Sequence, residues 1–206
     1  KVLPEGADPM DVRYNVINWV HRATRGWSYG SSVVDPRTGE IIKGHVTLGS
    51  LRVRQDYLIA LGLTSPFKDG STDTTAQQEM ALDRIRQLSA HEVGHTLGIA
   101  HNFAASENNR ASVMDYPHPK ISIKNGKISL EGAYDKGIGA WDIHAVAYGY
   151  QDFASDVEAT EALAKIIVKG RNEGLSFKSD PDTRSSRHAS ANGHMWENGS
   201  NPLDAF

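Results

Sequence analysis

Residues 91–101 read HEVGHTLGIAH, placing His91, Glu92, His95, Gly98 and His101 at fixed steps. On a helix a four-residue step turns about 400°, so His91 and His95 stand one turn apart on one face and can grip a single ion. Glu92 is rotated by about 100° from His91, close enough to reach a water on that ion without binding the ion itself. Three histidines leave the fourth tetrahedral position of a zinc ion to water, which is the arrangement of a catalytic rather than a structural site. The spacing therefore predicts Zn2+ as cofactor, with His91, His95 and His101 as ligands and Glu92 as general base. HExxH alone arises by chance in on the order of one such chain in fifty, and the five-point pattern in about one in ten thousand, so the long form carries the reading.

Thirteen residues after His101 comes Met114, inside Ser112, Val113, Met114, Asp115 and Tyr116. With that second motif the chain resembles the metzincin clan of zinc endopeptidases, in which a methionine turn lies beneath the metal. The wider text RYNVINWVHRATRGWSYG and DPRTGEIIKGHVTLG resembles a family of large bacterial zinc metalloproteases in that clan. The resemblance implies an α/β (α+β) metzincin-like fold, a small twisted sheet over the zinc helix with a mostly helical C-terminal subdomain. It implies one catalytic domain over 1–206, with 1–98 as the upper subdomain including the zinc helix and 99–206 as the lower one. Met114 becomes the turn methionine, and residues 44–48 the rim strand whose free edge pairs with substrate. Tyr116 matches the tyrosine that in some branches binds zinc or stabilises the tetrahedral intermediate; a tyrosine packing the pocket floor is the alternative. Asn102, after the third histidine, does not place the chain in a particular branch.

A chain of 206 residues suits one domain with its own core. Its net charge of -3 gives no basic field for nucleic acid, and no apolar run is long enough for membrane insertion. There is no cysteine, which excludes thiolate zinc and leans towards a bacterial protein. Protein or peptide substrates, met in a secreted, periplasmic or cell-surface setting, follow from the resemblance. Lys1 opens the chain without a leader, so the sequence reads as a piece of something longer. A long helix behind the sheet, usual in the clan, has no counterpart in residues 1–74, and a fragment lacking it is expected to be a weak peptidase.

Alternation at Val12, Tyr14 and Val16 predicts a strand, and residues 27–34 and 40–48 flank the turn text DPRTGE as a hairpin. Residues 50–62 predict a short helix with Leu51, Leu58 and Leu61 inward, closed by Gly62. The zinc helix is expected to begin at Thr75, capped by Thr75 with Gln78, and to bury Leu82, Ile85, Leu88, Val93 and Leu97. Gly98 is read as the left-handed residue past its end, and Gly94 as a site of close packing. Residues 121–130, ISIKNGKISL, predict a hairpin about Asn-Gly; residues 139–150 and 155–169 predict helices, the second burying Val157, Ala162, Leu163, Ile166 and Ile167. From Asn172 onward the text reads as irregular until a short turn at the end.

The remaining histidines, His21, His45, His118, His144, His188 and His194, lack ligand spacing, although His118 could line the cleft. Asp180 and Asp182 are spaced like calcium ligands without the rest of such a loop, and a solvated loop is the simpler reading. Trp19, Trp27, Trp141 and Trp196 are expected as core anchors. Two rivals stand beside a zinc peptidase: a zinc protease with a distant glutamate ligand, against which Gly98 and His101 argue, and a catalytically silent zinc domain acting as a binding module, against which Glu92 argues.

Overall fold

The computed structural model describes residues 1–24, 26–184, 187, 189–201 and 203. The chain divides into two compact units, Lys1–Ile99 with Lys120–Lys136, and Ala100–Pro119 with Gly137–Phe206. The fold is mixed α/β, with small sheets and a set of helices, as a metzincin-like zincin requires.

In the first unit β1 (Val16–Val20), β2 (Tyr29–Val34) and β3 (Ile41–Gly49) form one sheet in the order β1-β3-β2. The expected hairpin is present: β2 and β3 are antiparallel, and the Asp35 carbonyl accepts from the Thr38 and Gly39 amides in the turn. The first strand begins at Val16 rather than Val12, because the carboxylates of Asp8 and Asp11 accept from the amides of Met10 and Arg13 and bend the chain into turns. Lys43, on the central strand, is buried and donates from Nζ to the carbonyls of Asp11 and Tyr14, so this bent segment is fastened to the sheet.

β3 runs parallel to β1 on one side and antiparallel to β2 on the other. Residues 44–48 therefore have no free edge, which overturns their assignment as the rim strand: their backbone groups are already spent within the sheet. The free edges of this sheet belong to β1 and β2.

Helix α1 (Leu51–Thr64) runs past Gly62 and ends at Ser65, which takes the left-handed conformation at φ 43°. Its buried positions are Asp56 and Ala60, whereas Leu58 is exposed. Leu51 and Leu61 are half-buried as expected, and the inward face also carries a charge: Arg52 clasps the buried Asp56 with Nε at 2.8 Å and an Nη at 2.9 Å.

Helix α2 (Thr75–Thr96) starts where expected, but its cap sits one step earlier. Asp73 accepts from the Thr75 amide and hydroxyl, and Gln78 reaches back to the Thr74 hydroxyl. Of the five apolar residues expected inside, Leu88 is buried and Ile85 half-buried, while Leu82, Val93 and Leu97 are exposed. The buried side carries Gln77, Asp83, Arg84, Gln87, His91 and Glu92 instead. Val46, Leu48, Leu88 and Ile85 make the apolar contact between sheet and helix, each fully buried chain contributing about 1.5 to 3 kcal/mol.

The second hairpin, β4 (Ser122–Lys124) and β5 (Lys127–Ser129), turns at Asn125 and Gly126, both with positive φ. Just beyond it, Leu130, Ala133 and Tyr134 pack on Ala60 and Met80.

The second unit is mostly helical. A 3₁₀ turn (Phe103–Asn108) is followed by α3 (Ala140–Tyr150), α4 (Asp156–Asn172) and the single turn α5 (Asp180–Thr183), the last within a segment expected to be irregular. On α4 the residues Ala162, Leu163, Ile166 and Ile167 are half-buried, but Val157 lies in the first turn and is exposed. Gly170 is buried where an added Cβ would meet the His144 ring at 2.4 Å, so glycine lets α4 pack on α3. Of the four tryptophans Trp141 is the core anchor, stacked on Phe177 at 5.6 Å; Trp19, Trp27 and Trp196 are largely exposed.

Candidate metal centre and active site

In the first unit the site is made by the last turns of α2. The helix ends in a double reversal: the Gly98 amide donates to the His95 carbonyl and the Ile99 amide to the Gly94 carbonyl, with Gly98 at φ +81°. That is the Schellman closure anticipated from Gly98, and it turns the chain towards His101. The same turn orients a histidine. His95 donates from Nδ1 to the Ile99 carbonyl at 2.9 Å, which leaves Nε2 as the lone-pair nitrogen. The Nε2 atoms of His95 and His91 are 3.2 Å apart. Two imidazole nitrogens on one tetrahedral zinc stand about 3.3 Å apart, given Zn–N bonds of about 2.0 to 2.1 Å, so the pair fits that ion.

Glu92 is buried beside them, and burial pushes its carboxyl up to about 7, against the opposing pull of the Gly30 amide and the Arg84 charge. Gly30, on β2, donates its amide to this carboxylate. A Cβ at Gly30 would stand 1.9 Å from the Glu92 carbonyl oxygen and 3.0 Å from the His95 Cβ. Only a residue without a side chain lets strand and helix approach so closely.

In the second unit His101 is held from behind. Its Nδ1 donates to Asp180 Oδ2 at 2.7 Å, and Arg184 Nε pairs with the other carboxylate oxygen at 2.8 Å. Partial burial raises the Asp180 carboxyl, but the His101 hydrogen bond and the His101 and Arg184 charges outweigh it and hold it below the usual range. Asp182 accepts from the Ser179 amide. Asp180 thus orients a histidine, and Asp182, exposed as the solvated-loop reading expects, caps a turn. The Tyr116 hydroxyl lies 2.9 Å from His101 Nε2, a separation that suits a hydrogen bond or two ligands of one ion.

Asn102 is fully buried and bonded through both side-chain polar atoms. Its Oδ1 accepts from the amides of Ala104 and Lys178, its Nδ2 donates to the Ser176 carbonyl, and its own amide donates to the Met114 carbonyl. It ties His101 both to the segment that carries Asp180 and to the methionine turn. Met114 is buried within that turn. Asp142, in the first turn of α3, accepts from the Ser112 hydroxyl at 2.5 Å, the Val113 amide at 2.8 Å and the Gly139 amide at 2.7 Å. The turn is therefore anchored by a buried carboxylate.

His91 and His95 thus stand together in the first unit and His101 is held in the second, and among the described residues no other histidine is grouped with them as a metal candidate. His45 pairs through Nε2 with Asn18, His118 is exposed with its imidazole lowered by desolvation, and His188 lies outside the described residues. Sequence reasoning missed Gly30, Asn102 as a hub, Asp142 and Asp180. A glycine inside a strand signals close approach and marks Gly30; an acid three residues past Gly139 marks Asp142 as a helix-start residue; Asp180 carries no local signal.

Neither a curated protein nor a solved structure matches the chain. Residues 73–206, which include the helix bearing His91 and His95, the loop to His101 and the methionine turn, match a family described as Met-zincin. With that match over more than half its length, and with His91, His95 and His101 at the zincin spacing, the chain belongs to the Met-zincin family.

Proposed function

We propose that the chain is a zinc-dependent metalloendopeptidase that hydrolyses internal peptide bonds, with His91, His95 and His101 holding the metal and Glu92 acting as general base. The observation that carries this reading is the setting of Glu92: a buried carboxylate, held by the Gly30 amide, next to two imidazoles whose Nε2 atoms converge. A zinc ion held by these imidazoles would supply a Lewis acid for the scissile carbonyl and a water acidic enough to attack it.

The protein's own groups account for the rest. Glu92 takes the proton of the attacking water and passes it to the leaving amine, the two transfers a buried carboxylate beside the metal position can make. The Gly30 amide keeps the carboxylate turned towards the reacting atoms. The Ile99 carbonyl and the Asp180 carboxylate bind the Nδ1 protons of His95 and His101, fixing the tautomer in which Nε2 is the ligand. The Tyr116 hydroxyl donates to the oxygen that gains charge as the carbonyl is attacked. Substrate backbone pairs along the outer edge of β2, the antiparallel edge strand that already touches α2 at Gly30. Substrates are proteins or peptides, and the setting outside a bacterial cytoplasm rests on the family resemblance alone. Among the described residues no helix is long and apolar enough to cross a membrane.

The test is cleavage of an unfolded protein such as casein by the zinc-loaded chain, with and without a chelator. Chelator-sensitive cleavage at internal bonds is expected. One tightly bound zinc with no cleavage of any unfolded protein would favour the binding-module reading.

A further inference from the structure

We propose that Trp196 is a positioning residue for Tyr116, an assignment that rests on the role given to Tyr116 above. The indole stacks on the Tyr116 ring with centroids 5.3 Å apart and planes 25° from parallel. The Trp196 amide also donates to the Tyr116 carbonyl at 3.1 Å, so one residue grips both the ring and the backbone of the tyrosine. On its other sides the phenol meets Phe103 and His101 edge-on, with centroids 5.5 and 4.7 Å away. Within the motif Ser112, Val113, Met114, Asp115, Tyr116 the backbone is fastened by Asp142, but the direction of the phenol is set by these three rings.

The backbone of Trp196 argues that the ring is there for its contact. Its φ is +65°, a conformation bulky L-residues avoid, and Gly193 and Gly199 stand close by in the same segment. A turn that served only to reverse the chain would place a glycine at that φ. The strained conformation is held by a built anchor. The buried Glu197 accepts from the Ser106 hydroxyl at 3.2 Å and the His194 amide at 3.0 Å, and Arg110 Nε donates to Asn198 at 2.8 Å. Yet Trp196 itself is 43% exposed, so it is not a core residue. The segment spends strain and hydrogen bonds to hold one half-exposed indole flat against Tyr116.

The test uses Trp196→Gly, Trp196→Phe and Tyr116→Phe in the zinc-loaded chain, with a second readout from the cobalt-loaded protein. Trp196→Gly removes the ring while relieving the φ, so it should fold with an unchanged or higher Tm and full metal content. Its kcat should nevertheless fall roughly tenfold to hundredfold, with KM within about threefold. Trp196→Phe should restore most of the loss. In the Tyr116→Phe background Trp196→Gly should add no further loss, because the ring it positions has already lost its hydroxyl. The visible absorption of bound cobalt should change in Trp196→Gly as it does in Tyr116→Phe, and remain close to that of the unaltered protein in Trp196→Phe. If Tyr116→Phe alters kcat or the cobalt spectrum and Trp196→Gly alters neither, the assignment of Trp196 is overturned and the role of Tyr116 stands. If Tyr116→Phe alters neither, the role of Tyr116 falls and that of Trp196 with it.

Discussion

Gly30 and Glu92 are in contact twice over: the Gly30 amide donates to the Glu92 carboxylate, and a Cβ at Gly30 would lie 1.9 Å from the Glu92 carbonyl oxygen. The edge strand β2 and the helix that carries His91 and His95 thus meet at the proposed base, and the contact allows no side chain. Strand, base and ligand helix are set by one another.

Gly30→Ala therefore acts through contact alone, since the φ of Gly30 is not in the positive region. The clash is with backbone, which cannot rotate away, so the strand must move off the helix. Overpacking of this kind costs about 1 to 3 kcal/mol. The expected outcome is a lower Tm and a loss of more than about tenfold in kcat from the displaced amide, with metal still bound. Equal Tm and activity would show that the strand does not sit against Glu92.

Asp180→Ala removes the acceptor that holds the His101 Nδ1 proton. A group in that position raises ligand basicity and fixes the ring, and its loss typically lowers metal affinity by about 10- to 100-fold. Competition with a chromophoric chelator measures this directly. Affinity equal to that of the unaltered protein would mean that His101 is oriented by other contacts.

Asp115 gives a pH signature. Burial pushes its carboxyl up, the Glu197 charge adds to this, and the amides of Tyr116 and Ser106 with Arg110 pull it back, leaving it at about 7 against an ordinary value near 3.8. Between those values the folded protein keeps a proton that the unfolded chain has lost, so stability contributed by this group falls as pH rises. It is fully present below about 3.8 and lost as pH passes about 7. Glu92, raised in the same direction, adds to the trend in the metal-free protein. Denaturant midpoints of chelator-treated protein should therefore fall between pH 5 and pH 8, less steeply for Asp115→Asn. An identical slope in that variant would remove Asp115 as a source.

The site was legible where its parts are close in sequence. The step from His91 to His95, the reversal at Gly98, the Asn125–Gly126 hairpin and the helix from Ala140 each follow from local rules, and the structure has them. What failed has a common cause. Apolar periodicity alone does not mark the inner side of α2, because its neighbours supply partners that let polar groups turn inward: Thr64 accepts from Gln77, and the Arg84 guanidinium lies over the Tyr134 ring. The order β1-β3-β2 depends on a parallel pairing between segments that no turn joins, so local sequence gives no sign that the strand before the zinc helix is central. Asp180 and Trp196 lie about eighty residues from the groups they touch, and nothing in their immediate sequence announces either contact.

The most direct test of the account is the turnover of Glu92→Gln measured together with its metal content. The amide has the shape of the carboxylate but cannot take a proton from water. The account predicts one zinc per chain, as in the unaltered protein, and a fall in kcat of about 10² to 10⁴ on a peptide substrate. A variant that binds zinc normally and still cleaves at a substantial fraction of the original rate would contradict it.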